Sequence, residues 1–187
     1  MKSKMDNNKL YTIIVHSENF AGLLNQVTAV FTRQQLNIES LNVSASSIPG
    51  VHKYTITIYT DEETIKKVVK QIEKKVDVIS AHYFTDNEIF SYEVALYKIS
   101  VPEFLSDPEL LRIISHYNAT LVDVNPVFCI LVKTGTSEDI SALYEDLCKY
   151  NVVLQFVRSG RVAVTKSRYE KVNEFLDYRE KQYQQSH

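Results

Sequence analysis

The sequence is short of the residues that punctuate or cross-link a chain: its 187 residues hold four glycines, four prolines and two cysteines. With so few glycines, no loop is glycine-rich enough to wrap a phosphate, and fibrous or low-complexity classes are excluded. Cys129 and Cys148 lie in different segments, with no CxxC and no neighbouring histidine cluster. Neither a zinc site nor a disulfide framework therefore has support, and the expected compartment is reducing. His16, His52, His82, His116 and His187 are scattered, and no GxSxG, HExxH or P-loop pattern occurs, which leaves catalysis little to stand on. A phosphatase built on this pattern of elements would want an arginine after the first strand, whereas the first arginine is Arg33.

Long apolar runs are absent too. Leu10 to Val15 stops at His16, short of the roughly 7 to 15 residues of a signal-peptide core. Nothing approaches the roughly 20 residues of a membrane span, so a soluble, cytoplasmic protein is expected. Charge of one sign is also missing: 21 basic and 23 acidic residues leave a formal net charge of -2. That balance gives no general pull toward nucleic acid or an anionic membrane. Tyr11 and Tyr59 could stack bases, but no basic-Gly-aromatic signature accompanies them.

What is present is a globular composition, 44% hydrophobic and 24% charged, with two clear periodicities. Leu10 to Val15 is rich in β-branched and aromatic residues and predicts a strand. Leu23, Leu24, Val27, Val30 and Phe31 recur at three- and four-residue spacing and predict a helix over about 21–35. Asn37 to Ser47 and Val51 to Thr60 alternate around Pro49-Gly50 and predict a hairpin. That alternation predicts a sheet with one face buried and a second, carrying Ser40, Asn42, Thr55 and Thr57, able to meet water.

Asp61-Glu62-Glu63 opens a second helix with Ile65, Val68, Val69 and Ile72 as its stripe, Lys66, Lys67, Lys70, Lys74 and Lys75 lying mainly on its solvated face. A strand over about 76–84 follows. This βαββαβ order implies one antiparallel sheet with both helices on one face, the ferredoxin-like arrangement. The same order recurs: strand 92–101, helix 108–116, strands 120–124 and 127–133, helix 138–149, strand 153–158. The fold class is α+β, two ferredoxin-like units over 10–85 and 86–166, with a last helix in 167–187. The continuous apolar run Val127 to Val132 predicts a strand covered on both faces, by a dimer mate or by the first unit.

Ferredoxin-like folds host enzymes, RNA binders and sensors, so the site is argued separately. The informative stretch is His16 to Leu24, the turn from strand one into helix one. A helix amino end offers free N–H groups and partial positive charge, and Gly22 would let a carboxylate approach the backbone at Gly22 and Leu23. Asn19 could add its side-chain amide. Asn37, at the head of strand two, is expected at the same end of the sheet, where its carbonyl oxygen could accept from an ammonium group. Together these groups could hold a free amino acid. Spacing alone equally allows Asn19 and Gly22 simply to begin the helix, and Asn37 to be a turn residue.

Asn19-x-x-Gly22-Leu23-Leu24, Val27, Phe31 and above all Asn37-Ile38-Glu39-Ser40-Leu41 resemble the ACT domain of the small, regulatory subunit of acetolactate synthase (acetohydroxyacid synthase). Val122-Asp123-Val124-x-Pro126, Thr134-Gly135-Thr136-Ser137 and Arg158-Ser159-Gly160 resemble motifs of that subunit's carboxy-terminal domain. The resemblance spans roughly 10–166. It implies a noncatalytic subunit of branched-chain amino-acid biosynthesis that binds the large subunit, raises its activity and confers feedback inhibition by valine.

It further implies a homodimer whose ACT domains pair side by side, with the effector held by Asn19, Phe20, Gly22 and Leu23 of one chain facing Asn37 and Ile38 of the other. No cofactor of its own is implied; thiamine diphosphate, Mg and FAD would belong to the large subunit. Two departures bear on the pocket: Phe20 stands where the family has a small or polar residue, and Gln35 where it often has glycine. The competing class is a stand-alone ACT-type amino-acid sensor without an enzyme partner.

Overall fold

In a computed structural model, residues 8–167 are described. The strands form where alternation and β-branching coincide: β1 (Lys9–Glu18), β2 (Ser40–Ala45), β3 (Val51–Thr60) and β4 (Val78–Phe84). They pair antiparallel in the order β2-β3-β1-β4. Helices α1 (Leu23–Arg33) and α2 (Glu62–Glu73) cross over this sheet. Their buried stripes, Val27, Val30 and Phe31 with Ile65, Val68 and Ile72, meet Tyr11, Ile13, Val15, Tyr54, Ile56 and Ile58 in one core. The expected pattern of the first unit is thus realised, with α1 two residues shorter at each end than its periodicity suggests.

The second unit repeats the plan with β5 (Ile89–Ser100), α3 (Val101–Ser106), α4 (Pro108–His116), β6 (Thr120–Val124), β7 (Phe128–Gly135), α5 (Ser137–Cys148) and β8 (Val153–Arg158). Its sheet order is β6-β7-β5-β8, and a short β9 (Val162–Thr165) pairs with β5. Ala95, Tyr97, Ile99, Cys129 and Leu131 bury against Leu110, Ile114, Ile140, Leu143 and Leu147. Among the described residues the chain divides into two compact units, one running to Phe90 and resuming at Ala163, the other Ser91–Val162.

Helix ends follow one device. Gln35, Asn118 and Asn151 adopt φ of 53°, 52° and 53°, just past α1, α4 and α5. The bonds Leu36 N–H to Phe31 O and Ala119 N–H to Ile114 O close the first two of these helices in Schellman fashion. Asparagine tolerates this left-handed backbone, whereas glutamine at position 35 is strained there, which is the physical reason a glycine suits that place.

Three expectations are corrected. The second face of the first sheet meets water only in part: Thr12, Thr55 and Thr57 are buried and Ser40 and Asn42 half-buried, while Tyr59 is exposed. Ile89 and Ala163 close with Ile14 and Phe84 into a small cluster on that side. The strand expected from Tyr92 begins at Ile89. Two short elements, α3 and β9, escape pattern reading because six and four residues are too few to display a period. The last predicted helix lies, apart from Ser167, outside the described residues.

Candidate functional site

The turn between β1 and α1 is pinned at three points. Glu18 N–H donates to Asp77 O at 3.0 Å, Asn19 N–H to Gly50 O at 3.1 Å and Leu23 N–H to Phe20 O at 3.3 Å. Gly22 occupies the N-cap of α1 at φ 88°, ψ -8°, with no side chain capping the helix and no acidic residue in its first turn. Asn19 is therefore not the cap; its backbone ties the turn to the β2–β3 hairpin. The contrast with other helices is chemical. Asp61 caps α2 ahead of Glu62 and Glu63, Asp107 caps α4 ahead of Glu109, and Thr136 caps α5 ahead of Glu138 and Asp139. Each of those amino ends has its own anion, whereas that of α1 carries none in its first turn.

A cleft of about 530 Å³ opens beside this turn, lined by Glu18, Asn19, Phe20, Ile48, Pro49, Gly50, Val51 and Ile79. Of the expected residues Asn19 and Phe20 line it, the latter 59% exposed. Gly22 is exposed beside them. Leu23 is buried in the core, so only its backbone is on offer. The hairpin wall Ile48–Val51 and Ile79 were missed by sequence reasoning, although the register that pairs Glu18 with Val51 would have found the hairpin.

Asn37 and Ile38 lie elsewhere, which corrects the expectation that Asn37 shares the end of the sheet with Gly22. Two residues after Asn37, Glu39 N–H donates to Thr57 O, and Thr57 pairs with Thr12 near the start of β1. From that row to the Glu18–Val51 row is six residues, about 20 Å. The reason is topological: a right-handed crossover returns β2 parallel to β1, so the head of β2 sits where β1 begins. Asn37 is exposed and Ile38 packs partly on the core.

The second unit gathers its motifs around Glu93, which is 4% exposed. Ser137 Oγ donates to the Glu93 carboxylate, and the guanidinium groups of Arg158 and Arg161 each approach it to 3.9 Å. Ser159 Oγ accepts from Val94 N–H at 3.1 Å and Ser159 N–H donates to Val94 O. The Thr-Gly-Thr-Ser and Arg-Ser-Gly segments thus converge on one buried carboxylate. Cys129 is buried and Cys148 half-buried. Among the described residues no group of three or more His, Cys, Asp or Glu could hold a metal, and no helix is long and apolar enough to cross a membrane.

The sequence model of the small-subunit-like ACT domain of AHAS matches residues 13–80, and that of the small subunit of acetolactate synthase matches 92–167. The acetolactate synthase small subunit of Bacillus subtilis is 31% identical over 157 residues, covering 83% of this chain and 90% of its own. That of Haemophilus influenzae is 29% identical over 149 residues, 80% of this chain and 91% of its own. The crystal structure of the small subunit from Thermotoga maritima superimposes with a TM-score of 0.77 over 86% of this chain and 99% of that one, at 24% identity, and so supports the fold. With both domain models matched in order and a relative 31% identical across 90% of its length, the chain belongs to the acetolactate synthase small-subunit family.

Proposed function

We propose that this chain is the noncatalytic regulatory subunit of a cytoplasmic acetolactate synthase, which binds the catalytic large subunit, raises its activity and makes it sensitive to valine. The observation that carries the reading is the end-to-end match to small subunits, in which both domain models occur in order. The chemistry of the reaction and its cofactors stay with the large subunit.

The effector reading rests on the amino end of α1. A valine carboxylate would accept from the open backbone of Gly22 and the amides that follow, where the helix supplies positive potential and no anion of its own. Asn19 and Phe20 would flank the ligand, and Leu23 N–H would exchange its 3.3 Å bond to Phe20 O for the carboxylate. Asn37 and Ile38 of the same chain are about 20 Å away along the strands, so a second copy must supply them. Geometry allows this. β2 is an edge strand, and antiparallel pairing of two β2 edges turns the head of β2 in one copy toward the end of β1 in the other. In the resulting homodimer Asn37 would accept from the valine ammonium and Ile38 would meet its side chain. Valine then regulates only if it binds the less active state of the complex more tightly than the active one.

Acetolactate formation by the cognate large subunit is to be measured alone, with this chain, and with valine titrated in. Stimulation followed by valine-dependent loss is expected. No stimulation would overturn the subunit reading in favour of a stand-alone sensor, and stimulation without a valine response would overturn the effector assignment alone.

A further inference from the structure

The outer face of the first sheet is polar yet closed to solvent along its middle. Register sets three rows across the two central strands: Thr12 of β1 against Thr57 of β3, Ile14 against Thr55, and His16 against Lys53. Thr12, Ile14, Thr55 and Thr57 are 1%, 4%, 5% and 3% exposed, whereas Ser40 and Asn42 on β2 and Ser80 and His82 on β4 are only half-buried. Small side chains on a pleated surface do not bury one another to that degree, because each neighbour in the sheet stands beside them and not above them. A second layer therefore lies over β1 and β3.

The closed zone gives the dimensions of that layer. It is two strands wide, about 10 Å, and three rows long, about 14 Å. An α-helix with its side chains is about 10 Å across and covers that length in about nine residues. A sheet laid on top would have closed all four strands.

The chain itself leads to this face. Ala163 joins Ile89 in a cluster with Ile14 and Phe84, so β9 returns the chain to the outer side of the sheet near β4. Lys166 N–H then donates to Glu88 O, and its ammonium to Asn87 O at 3.0 Å, which anchors the exit beside the turn after β4. In the sequence that follows, Tyr169, Val172, Leu176 and Tyr183 stand at three-, four- and seven-residue spacing, one stripe of a helix, with Glu170, Glu174 and Lys181 opposite. Tyrosines suit a face of hydroxyls, since each brings an apolar ring and a hydrogen-bonding tip. We propose that residues 168–187 dock on the outer face of the first sheet as an amphipathic helix, with the stripe Tyr169, Val172, Leu176 and Tyr183 over β1 and β3. This face is then occupied within the chain, and contacts of the first unit with partners fall to its helices and strand edges. The docking is independent of the effector reading and of the large subunit.

The test uses the full chain carrying Cys148→Ser and Thr55→Cys, and reads the rate at which iodoacetamide alkylates the new thiol. Val76→Cys calibrates an open position, since Val76 is 98% exposed. The thiol of Thr55→Cys should react at least about tenfold more slowly than that control, and adding Val172→Asp and Leu176→Asp should remove most of the protection. A Thr55→Cys thiol as reactive as the control, or protection that survives both aspartates in folded protein, overturns the proposal. Surviving protection that falls on dilution assigns the cover to a second copy, and protection that appears only with the large subunit assigns it to that partner. If the two aspartates unfold the chain, seen as loss of the melting transition, disulfide formation decides. Thr55→Cys should then link to Leu176→Cys within one molecule and not to Glu174→Cys, and linkage to neither, or to both alike, overturns the docking.

Discussion

Replacing Gly22 by alanine separates two roles of one missing methyl group. The residue lies at φ 88°, and a Cβ built there meets nothing within 4 Å. Alanine therefore makes no clash, and its cost is the left-handed backbone alone, ~1–2 kcal/mol for an L residue. Alanine also narrows the unfolded ensemble, which offsets about 0.4–1 kcal/mol. The net loss is about 1 kcal/mol, a fall of roughly 4–8 °C in Tm for a unit of this size. The effect on ligand is larger, because the methyl stands where a carboxylate would approach the backbone. Valine at about 100 times its Kd should raise the stability of the wild type by roughly 2.7 kcal/mol. In Gly22→Ala most of that increment should vanish while stimulation of the large subunit without valine persists. Melting curves with and without valine, beside acetolactate assays, measure both terms. A variant that keeps the full valine increment refutes the placement of the carboxylate, and a fall in Tm far beyond the strain estimate refutes the claim of open space.

Three further outcomes follow from local geometry. Gln35→Gly relieves the φ of 53° past α1 and should stabilise by about 0.5–1 kcal/mol, read as a raised urea midpoint with unchanged m. Asp61 accepts from Thr64 N–H at 2.9 Å and from its hydroxyl, and these bonds hold its carboxyl below the usual range. A depressed folded pKa gives stability that is complete above the ordinary aspartate value and lost as pH falls through the folded one. Asp61→Ala should thus cost about 1 kcal/mol at neutral pH and show a shallower acid limb in denaturation series from pH 7 to below pH 3. Glu93→Ala removes the buried carboxylate that Arg161, only 7% exposed, and Arg158 share, and should cost roughly 3 kcal/mol. Arg158→Ala removes a side chain 48% exposed and should cost under about 1 kcal/mol. Equal effects in the two melts would refute the ranking.

Much of the fold was written locally. The stripe Val27-Val30-Phe31, the alternation Tyr54-Ile56-Ile58 and the acidic start of α2 each encode their element within a few residues, and all three are found where expected. The repeat of βαββαβ order and the Asn-Ile-Glu-Ser-Leu run likewise identified the family from sequence, because order and motif survive without coordinates. Periodicity says which residues share a face, but not what covers it. On the far side of the first sheet Ile14 and Phe84 are met by Ile89 and Ala163, residues from beyond its last strand.

The same limit applies to the candidate site. Gly22 could be recognised as a place for a carboxylate from a strand-to-helix turn alone. Which end of the sheet holds Asn37 is set by the direction of β2, which the crossover returns parallel to β1, and the register shows that one chain keeps the two halves apart. The Glu93 cluster is tertiary in the same sense. Its serine and arginines come from segments about 40 to 70 residues away along the chain, and they meet because β5 lies centrally in its sheet, beside β7 and β8. Local sequence fixed the elements through backbone sterics and side-chain period, whereas juxtaposition of distant residues required the closed geometry of the sheets.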